Sequence, residues 1–254
     1  MHAGIATVTF NNKSIEEIIA IAGKAGLTAL EWGAKTHVLA GDTAAAEKAK
    51  TLSKAADLAI TGYGAYYYGL PGEDFAPVLE SAIALGAPVI RVWAGKGFLK
   101  SEECPEDLRA QITENLQKAA EEAQKYGITV ATEYHAFSLT DNIESTCRLL
   151  KEAPDLRTYW QPRTHPVQGA EKDIEDIALL GEKIVNAHAL CWLEDGSQPL
   201  ATWKEEWSRY IPALKKYTAA KAASVEFVAG NTDAQFLADA QLLTTLLSEL
   251  SIDN

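Results

Sequence analysis

The stretch KYGITVATEY, residues 125–134, joins the end of a predicted helix to a predicted buried strand. Gly127 stands where the helix should stop, because glycine readily takes the left-handed conformation that ends a helix. The largely apolar run that follows is typical of a strand covered on both faces, as in a parallel sheet. It ends in a charged residue, Glu133. A charge so late in a buried strand predicts a polar site at the carboxyl end of the sheet.

Two other stretches have the same order of glycine, buried strand and late charge. They are KAGLTALEW at 24–32, which carries Glu31, and ALGAPVIRVW at 84–93, which carries Arg91. We interpret these stretches as a weak internal repeat of one strand–helix unit. Units of this kind predict parallel strands joined by helices.

Strand and helix patterns alternate along the whole chain. The predicted strands are Gly4–Phe10, Thr28–Trp32, Leu58–Gly62, Pro88–Trp93, Ile128–Glu133, Arg157–Trp160, Ile184–Leu190 and Ser224–Val228. The predicted helices are Ser14–Ala25, Thr43–Ala56, Asp74–Leu85, Cys104–Tyr126, Asp141–Glu152, Glu171–Leu180, Trp203–Tyr217 and Thr232–Leu250. Eightfold alternation in 254 residues predicts an α/β fold, a single (β/α)8 TIM barrel domain over residues 1–254. A doubly wound open sheet is the alternative, but no strand leads into a GxGxxG turn.

Composition and charge narrow the class of protein. The net charge of −12 opposes binding to nucleic acid and to anionic membranes. The three cysteines are widely spaced and form no CxxC pair, which favours reduced thiols and a cytoplasmic location. The N-terminal segment lacks the features of a signal peptide, and no apolar run reaches the roughly 20 residues that span a bilayer. We therefore expect a cytoplasmic enzyme or binding protein without a membrane or nucleic-acid partner.

The last four predicted strands each carry a polar residue near the carboxyl end. These residues are Glu133, Gln161, His188 and Glu226. Two carboxylates, an amide oxygen and an imidazole suit Mn²⁺, with Mg²⁺ or Co²⁺ as alternatives, better than a structural zinc site. Such a metal would polarise a substrate carbonyl, and glutamates beside it would move a proton at the neighbouring carbon. The alternative is that each residue is a hydrogen-bonded structural group, with Glu31 and Arg91 as an ion pair.

At these positions the chain resembles the xylose isomerase-like TIM barrel superfamily, in its sugar phosphate isomerase/epimerase branch. The resemblance rests on the order and spacing of LEWGAKTHV (30–38), TGYGAYYYG (61–69), APVIRVWAG (87–95), TEYH (132–135), YWQP (159–162), NAHALCW (186–192) and SVEFV (224–228). It implies that Glu133, Gln161, His188 and Glu226 hold the metal. It also implies that Glu133 and Glu226 are the catalytic acid/base pair.

The chain departs from the family pattern at two places. Gln161 stands where the family has an aspartate, so the metal ligands include two carboxylates instead of three. Glu194 stands where the epimerases have a substrate-contacting arginine. The family histidine after the aspartate falls on Thr164, with His165 next to it. These departures place metal binding and the choice of substrate in question.

Polar and aromatic residues on the expected active face are candidates for substrate contacts. They are His37, Tyr63, Arg91, Trp93, His135, Arg163, His165 and Trp192. The alternatives are core packing for the aromatic residues and pairing with Glu31 for Arg91.

The leading functional prediction is a sugar or sugar phosphate isomerase or epimerase that uses a divalent metal. An inosose-type dehydratase or lyase, and a non-catalytic sugar-binding or partner subunit with a degenerate metal site, are the alternatives. The related endonuclease IV fold is the weakest option, because five histidines are few for its three-zinc site. The segments before the fifth strand are candidates for a subunit interface in a homo-oligomer.

Overall fold

A computed structural model describes residues 1–97 and 100–249, which form a single closed (β/α)8 barrel. The barrel strands are β1 (His2–Ala6), β2 (Ala29–Gly33), β3 (Ala59–Gly64), β4 (Val89–Val92), β5 (Thr129–Glu133), β6 (Arg157–Trp160), β7 (Ile184–Ala189) and β8 (Ala222–Val225). The helices are α1 (Ile15–Lys24), α2 (Thr43–Ala55), α3 (Ala76–Leu85), α4 (Glu106–Gln124), α5 (Ile143–Glu152), α6 (Ala170–Leu180), α7 (Lys204–Tyr217) and α8 (Asp233–Glu249). Leu250, the last residue of the final predicted helix, lies outside the described residues.

Each strand pairs in parallel with the next one along the chain, and β8 pairs with β1 to close the barrel. The predicted fold class is therefore confirmed. β2 is buried at every position, which explains why its sequence does not alternate between apolar and polar residues. The main core lies between the barrel and its ring of helices, where Leu30, Trp32 and Ile90 are inaccessible to solvent.

The predicted helix signals are confirmed. Gly26, Gly86 and Gly127 have φ of 67°, 71° and 73°, so each takes the left-handed conformation that follows a helix end. At the start of α1, Ser14 Oγ accepts from the backbone N–H of Glu17, and Glu17 Oε2 accepts from the backbone N–H of Ser14 at 2.7 Å. The spacing of these two residues in the sequence is the signature of such a capping box.

The predicted first and last strands extend too far at their carboxyl ends. The chain leaves β1 after Ala6 into a 3-10 turn, where Thr9 Oγ1 donates to the Ala6 carbonyl at 2.7 Å. β8 ends at Val225, and Phe227 takes a φ of 52° with its N–H donating to Thr9 Oγ1 at 3.2 Å. Both strands therefore end where the side chain of Thr9 replaces a strand–strand hydrogen bond.

Tyr159 fills the barrel interior below the site. Its hydroxyl oxygen accepts from Asn186 Nδ2 at 2.8 Å, and the same amide donates to the Thr61 carbonyl at 3.0 Å. Gly62 on β3 makes room for this hydroxyl, because a Cβ added there would overlap Tyr159 Oη. The glycine is therefore required by the close approach of a side chain across the barrel.

We expect Gly62→Ala to lower the free energy of unfolding by about 1–3 kcal/mol, because the new methyl group overpacks the barrel interior. Gly62→Ala combined with Tyr159→Phe should recover part of the loss, since the ring carbon Cζ lies 3.5 Å from the position of the new Cβ, an ordinary contact. Urea unfolding measures both variants. Gly23→Ala on α1 is the control, because nothing lies within 4 Å of its added Cβ. A Gly62→Ala variant as stable as that control would contradict the steric explanation.

Within the described part of the chain, no helix combines the length and apolar character needed to cross a membrane.

Candidate active site

Five charged or titratable side chains meet inside the barrel near the carboxyl ends of its strands. They are Glu31 from β2, Arg91 from β4, Glu133 from β5, His188 from β7 and Glu226, which directly follows β8. Each is buried. In barrels of this type the carboxyl ends of the strands form the face on which active sites lie.

Arg91 joins two of the carboxylates. Its Nε donates to Glu31 Oε1 at 2.8 Å, and its Nη1 donates to Glu133 Oε2 at 2.7 Å. The guanidinium reaches β2 across the intervening strand β3, and Gly64 on β3 leaves the space for it. The sequence allows two interpretations of Arg91, a substrate contact or a partner of Glu31. In the structure Arg91 pairs with Glu31.

His188 joins all three carboxylates. Its Nε2 lies 2.9 Å from Glu31 Oε2, and its Nδ1 lies 3.2 Å from both Glu133 Oε1 and Glu226 Oε2. The imidazole is inaccessible to solvent and packs edge-on against the ring of Tyr159. One ring nitrogen therefore faces Glu31, and the other faces the two glutamates predicted as metal ligands.

Burial and charge act in opposite directions on these groups. Burial favours the neutral form of His188, but the charges of Glu226 and Glu31 raise the pKa of its imidazole well above its ordinary value. Burial also opposes the ionisation of Glu133, but Arg91 and His188 lower the pKa of that carboxyl. The same two partners lower the pKa of Glu31. Without a metal, the cluster is held together by a charged histidine and an arginine among carboxylates.

These shifts predict how the stability of the metal-free protein depends on pH. The raised pKa of His188 stabilises the fold fully below about 6.5, its ordinary value, and this contribution is lost as the pH rises through the folded-state pKa. We expect the free energy of unfolding to fall between pH 6.5 and 8, by at most about 1.4 kcal/mol per pH unit. Urea unfolding with a chelator present measures this slope. His188→Gln should remove the part of the slope due to this residue, and an equal slope in that variant would contradict the assignment.

Glu133, His188 and Glu226 form a group that can hold a metal ion, because one ligand atom from each lies within 4.8 Å of the others. Gln161 is buried and lines the same pocket as Glu226, and its Oε1 has no hydrogen-bond partner among the described residues. A buried amide oxygen without a partner is costly unless a ligand or ion satisfies it. The donor set and this unpartnered oxygen fit a divalent cation that prefers oxygen ligands.

A pocket of about 290 Å³ opens beside this group. Its walls include Glu226, Gln161 and a set of aromatic residues, namely His135, Phe137, His165, Trp192 and Phe227. The Phe227 ring packs edge-on against Trp192, and the Phe137 ring packs against His165. Phe137 and Phe227 have φ of 65° and 52°, conformations that cost about 1–3 kcal/mol each and that cluster at functional sites.

The structure brings five of the predicted substrate contacts to this end of the barrel. His135, His165 and Trp192 line the pocket, and Arg163 lines a smaller recess next to it. Trp93 is half-buried and packs against the His135 ring with centroids 4.3 Å apart. Trp93 therefore packs against His135, which forms part of the pocket wall.

Two predicted substrate contacts are corrected. Tyr63 is inaccessible to solvent, and its hydroxyl donates to the Val38 carbonyl at 2.8 Å. Gly62 and Gly64 face the barrel interior, so alternation along β3 turns Tyr63 toward the outer core. His37 is buried and has both ring nitrogens in hydrogen bonds, Nδ1 with Thr7 Oγ1 and Nε2 with the Lys13 carbonyl. Neither side chain lines the pocket.

Sequence reasoning missed one contact of Glu31 and did not single out Tyr66. The sequence suggests Glu31 only as a partner of Arg91, yet it also binds His188. Tyr66 is 45% exposed after β3, and burial raises the pKa of its hydroxyl, with Arg91, Glu226 and Glu133 also acting on it. Tyr66 therefore lies near the cluster. The alternation of Gly62, Tyr63 and Gly64 is the signal that favours Tyr66 over Tyr63.

Residues 19–162, more than half of the chain, match the family described as xylose isomerase-like TIM barrel. The chain belongs to the xylose isomerase-like TIM barrel family. No curated protein is significantly similar to it in sequence.

Several solved structures share the fold along nearly the whole chain. The probable 3-DHS dehydratase AsbF from Bacillus anthracis is 18% identical, with a TM-score of 0.77 over 96% of this chain and 99% of the other. A D-psicose 3-epimerase is 15% identical, with a TM-score of 0.69 over 97% and 99%. A xylose isomerase-like TIM barrel protein from Mycobacterium smegmatis, solved with magnesium, is 11% identical, with a TM-score of 0.70 over 98% of each chain. These likenesses establish the fold, and the proteins that share it include both epimerases and a dehydratase.

Proposed function

We propose that this protein is a sugar isomerase or epimerase that moves a proton next to a substrate carbonyl with the help of a divalent metal. The observation that carries the proposal is the convergence of Glu133, His188 and Glu226 beside a pocket that is also lined by Gln161, whose Oε1 has no hydrogen-bond partner. Acid–base groups and metal ligands in one pocket are the parts that this chemistry needs.

We assign Glu133, Gln161, His188 and Glu226 as the ligands of the metal. Carboxylate and amide oxygens favour Mn²⁺, and Mg²⁺ or Co²⁺ suit the same donors. When bound, the metal would polarise the substrate carbonyl and make the neighbouring C–H more acidic. Two carboxylate ligands leave more positive charge on the ion than three would, which strengthens this effect and weakens binding of the ion.

We assign the first proton transfer to Glu226, because its side chain lines the pocket. Its carboxylate would take up the proton released by the substrate carbon. An epimerase needs a second acid on the opposite face of that carbon, and Glu133 is the group we assign to this role. An isomerase can return the proton from Glu226 to the adjacent carbon without a second carboxylate.

The pocket walls favour a substrate that exposes C–H faces to aromatic rings. Phe137, Trp192 and Phe227 supply such surfaces, and sugars stack on them. Among the described residues that line this pocket, none is lysine or arginine. We therefore propose an unphosphorylated sugar as the first substrate to test, with Arg163 and His165 available to bind polar groups at the edge.

A dehydratase that expels a β-hydroxyl is the second candidate. It is favoured by the 2.7 Å bond between Arg91 and Glu133 Oε2, which occupies one oxygen of the second carboxylate. An elimination needs only one base at the substrate carbon, and Glu226 is suited to it. A sugar-binding subunit without catalysis is the remaining alternative.

Two measurements test the proposed function. The purified protein is analysed for metal and unfolded thermally with a chelator or with added Mn²⁺, which should raise the unfolding temperature. Candidate sugars are then incubated in D₂O with Mn²⁺, and exchange of the C–H next to the carbonyl is followed by NMR. Exchange without a change of mass beyond the label supports an isomerase or epimerase, and loss of water supports the dehydratase. Tight sugar binding with no exchange would overturn both enzymatic proposals in favour of the binding subunit.

A further inference from the structure

Glu31 stands behind the proposed ligands and uses both carboxylate oxygens to connect them. Its Oε2 lies 2.9 Å from His188 Nε2, and its Oε1 accepts from Arg91 Nε at 2.8 Å. The Glu31 side chain is 3% exposed, so water does not compete for these bonds. Glu31 therefore contacts one proposed ligand directly and reaches a second, Glu133, through Arg91.

We propose that Glu31 is a positioning residue that selects the atom through which His188 binds the metal, an inference that rests on the metal site proposed above. A neutral imidazole carries one proton, and the nitrogen with the better acceptor keeps it. With the metal bound, Glu31 would accept the proton of Nε2 and leave the lone pair of Nδ1 on the side of Glu133 and Glu226. A carboxylate that fixes the tautomer of a ligand histidine in this way raises metal affinity.

Arg91 fixes the orientation of Glu31 and occupies one carboxylate oxygen of Glu133. Because Arg91 Nη1 occupies Glu133 Oε2, the other oxygen, Oε1, is left on the side of His188 Nδ1. Gly64 makes this arrangement possible, since a Cβ there would lie 2.9 Å from Glu31 Oε1 and overlap the guanidinium. The pair of Glu31 and Arg91 therefore orients two of the four proposed ligands.

The arrangement predicts what an amide does at position 31. In Glu31→Gln, Arg91 Nε offers only a hydrogen, so it takes the amide oxygen as its acceptor. The amide NH₂ then faces His188 Nε2, which must become an acceptor. The ring proton moves to Nδ1, the nitrogen that has to be free to bind the metal. An isosteric change that keeps the shape of the side chain thus reverses the tautomer.

The first test is titration of the metal-free protein with Mn²⁺ alone. Glu31→Gln should bind Mn²⁺ about 10–100-fold more weakly than the wild type, the usual effect of losing such a partner. Asp239→Asn is the matched control, because Asp239 is a buried carboxylate on α8 that accepts from the Leu200 N–H at 2.8 Å and is not among the residues that line the pocket. It should bind Mn²⁺ like the wild type. Equal affinity in Glu31→Gln and the wild type would overturn the inference alone, whereas a wild type that binds no Mn²⁺ would overturn the metal site itself.

The second test needs no variant at position 31 and holds even if Glu31→Gln does not fold. In ¹⁵N NMR of the Mg²⁺-loaded wild type, the His188 proton should reside on Nε2, with Nδ1 unprotonated. The His188 signals are assigned by their loss in His188→Ala, measured under the same conditions. A proton on Nδ1 in the loaded protein would overturn the inference.

Discussion

Glu226→Gln should lower the rate of substrate C–H exchange in D₂O by a factor of about 10²–10⁴, the usual contribution of a positioned acid or base. Glu226 lines the pocket and lies 3.2 Å from His188 Nδ1 through Oε2. Glutamine keeps an oxygen that can bind the metal but accepts no proton at neutral pH. The exchange is measured by NMR at saturating Mn²⁺, so that weaker metal binding does not enter the rate.

Two further variants make this result specific. Asp239→Asn, which removes a buried carboxylate on α8, should exchange at the wild-type rate. Glu133→Gln separates the reaction types, because an epimerase should lose turnover in both glutamate variants. If exchange persists in Glu226→Gln and disappears only in Glu133→Gln, the assignment of Glu226 to the first proton transfer is wrong.

Arg91→Met should lower the free energy of unfolding of the metal-free protein by about 3–5 kcal/mol, because it removes the arginine that pairs with two buried carboxylates and leaves His188 as their remaining partner. Arg91 bonds Glu31 at 2.8 Å and Glu133 at 2.7 Å, and all three side chains are at most 8% exposed. Methionine fills part of the space of the arginine side chain. The decrease in the free energy of unfolding is therefore due mainly to the lost charge. Urea unfolding in the presence of a chelator measures the difference.

Arg148→Met is the matched control for Arg91→Met. Arg148 also bridges two glutamates, Glu106 and Glu152, but its side chain is 46% exposed on the surface of α5. Solvent screens exposed pairs, so its replacement should change stability little. If Arg91→Met is as stable as Arg148→Met, the buried carboxylates do not need Arg91 for stability, and the prediction is wrong.

The barrel is predictable because its signals are local. Glycines such as Gly127 end helices through their own backbone conformation, and each strand that follows such a glycine is a short run with a single charged residue. The predicted carboxyl ends are less accurate where a side chain replaces a strand hydrogen bond. Thr9 does so for both β1 and β8, and no local pattern marks a bond between residues 9 and 227.

The candidate site is predicted in part. The sequence identifies the strand ends that carry polar residues. Glu133, His188 and Glu226 lie together at the carboxyl end of the barrel, and Gln161 lines the same pocket as Glu226. Their roles as ligands and catalysts remain predictions. Neither Tyr63, on β3, nor His37, after β2, lines the pocket, although both residues lie near the carboxyl end of the barrel. Their side chains point into the packed layer outside it, which alternation along β3 indicates for Tyr63.

The amino-acid sequence predicts the order of strands and helices, the closed barrel that they form and the end of the barrel at which polar side chains collect. Hydrophobic periodicity and helix-ending glycines extend over only a few residues, so they can be recognised in a single sequence. Two contacts are visible only in the folded barrel. Glu31 contacts His188, 157 residues away, and Arg91 passes Gly64 to reach Glu31. Those contacts cross the interior of a closed barrel. They depend on the register of strands and the reach of side chains, which no local pattern encodes.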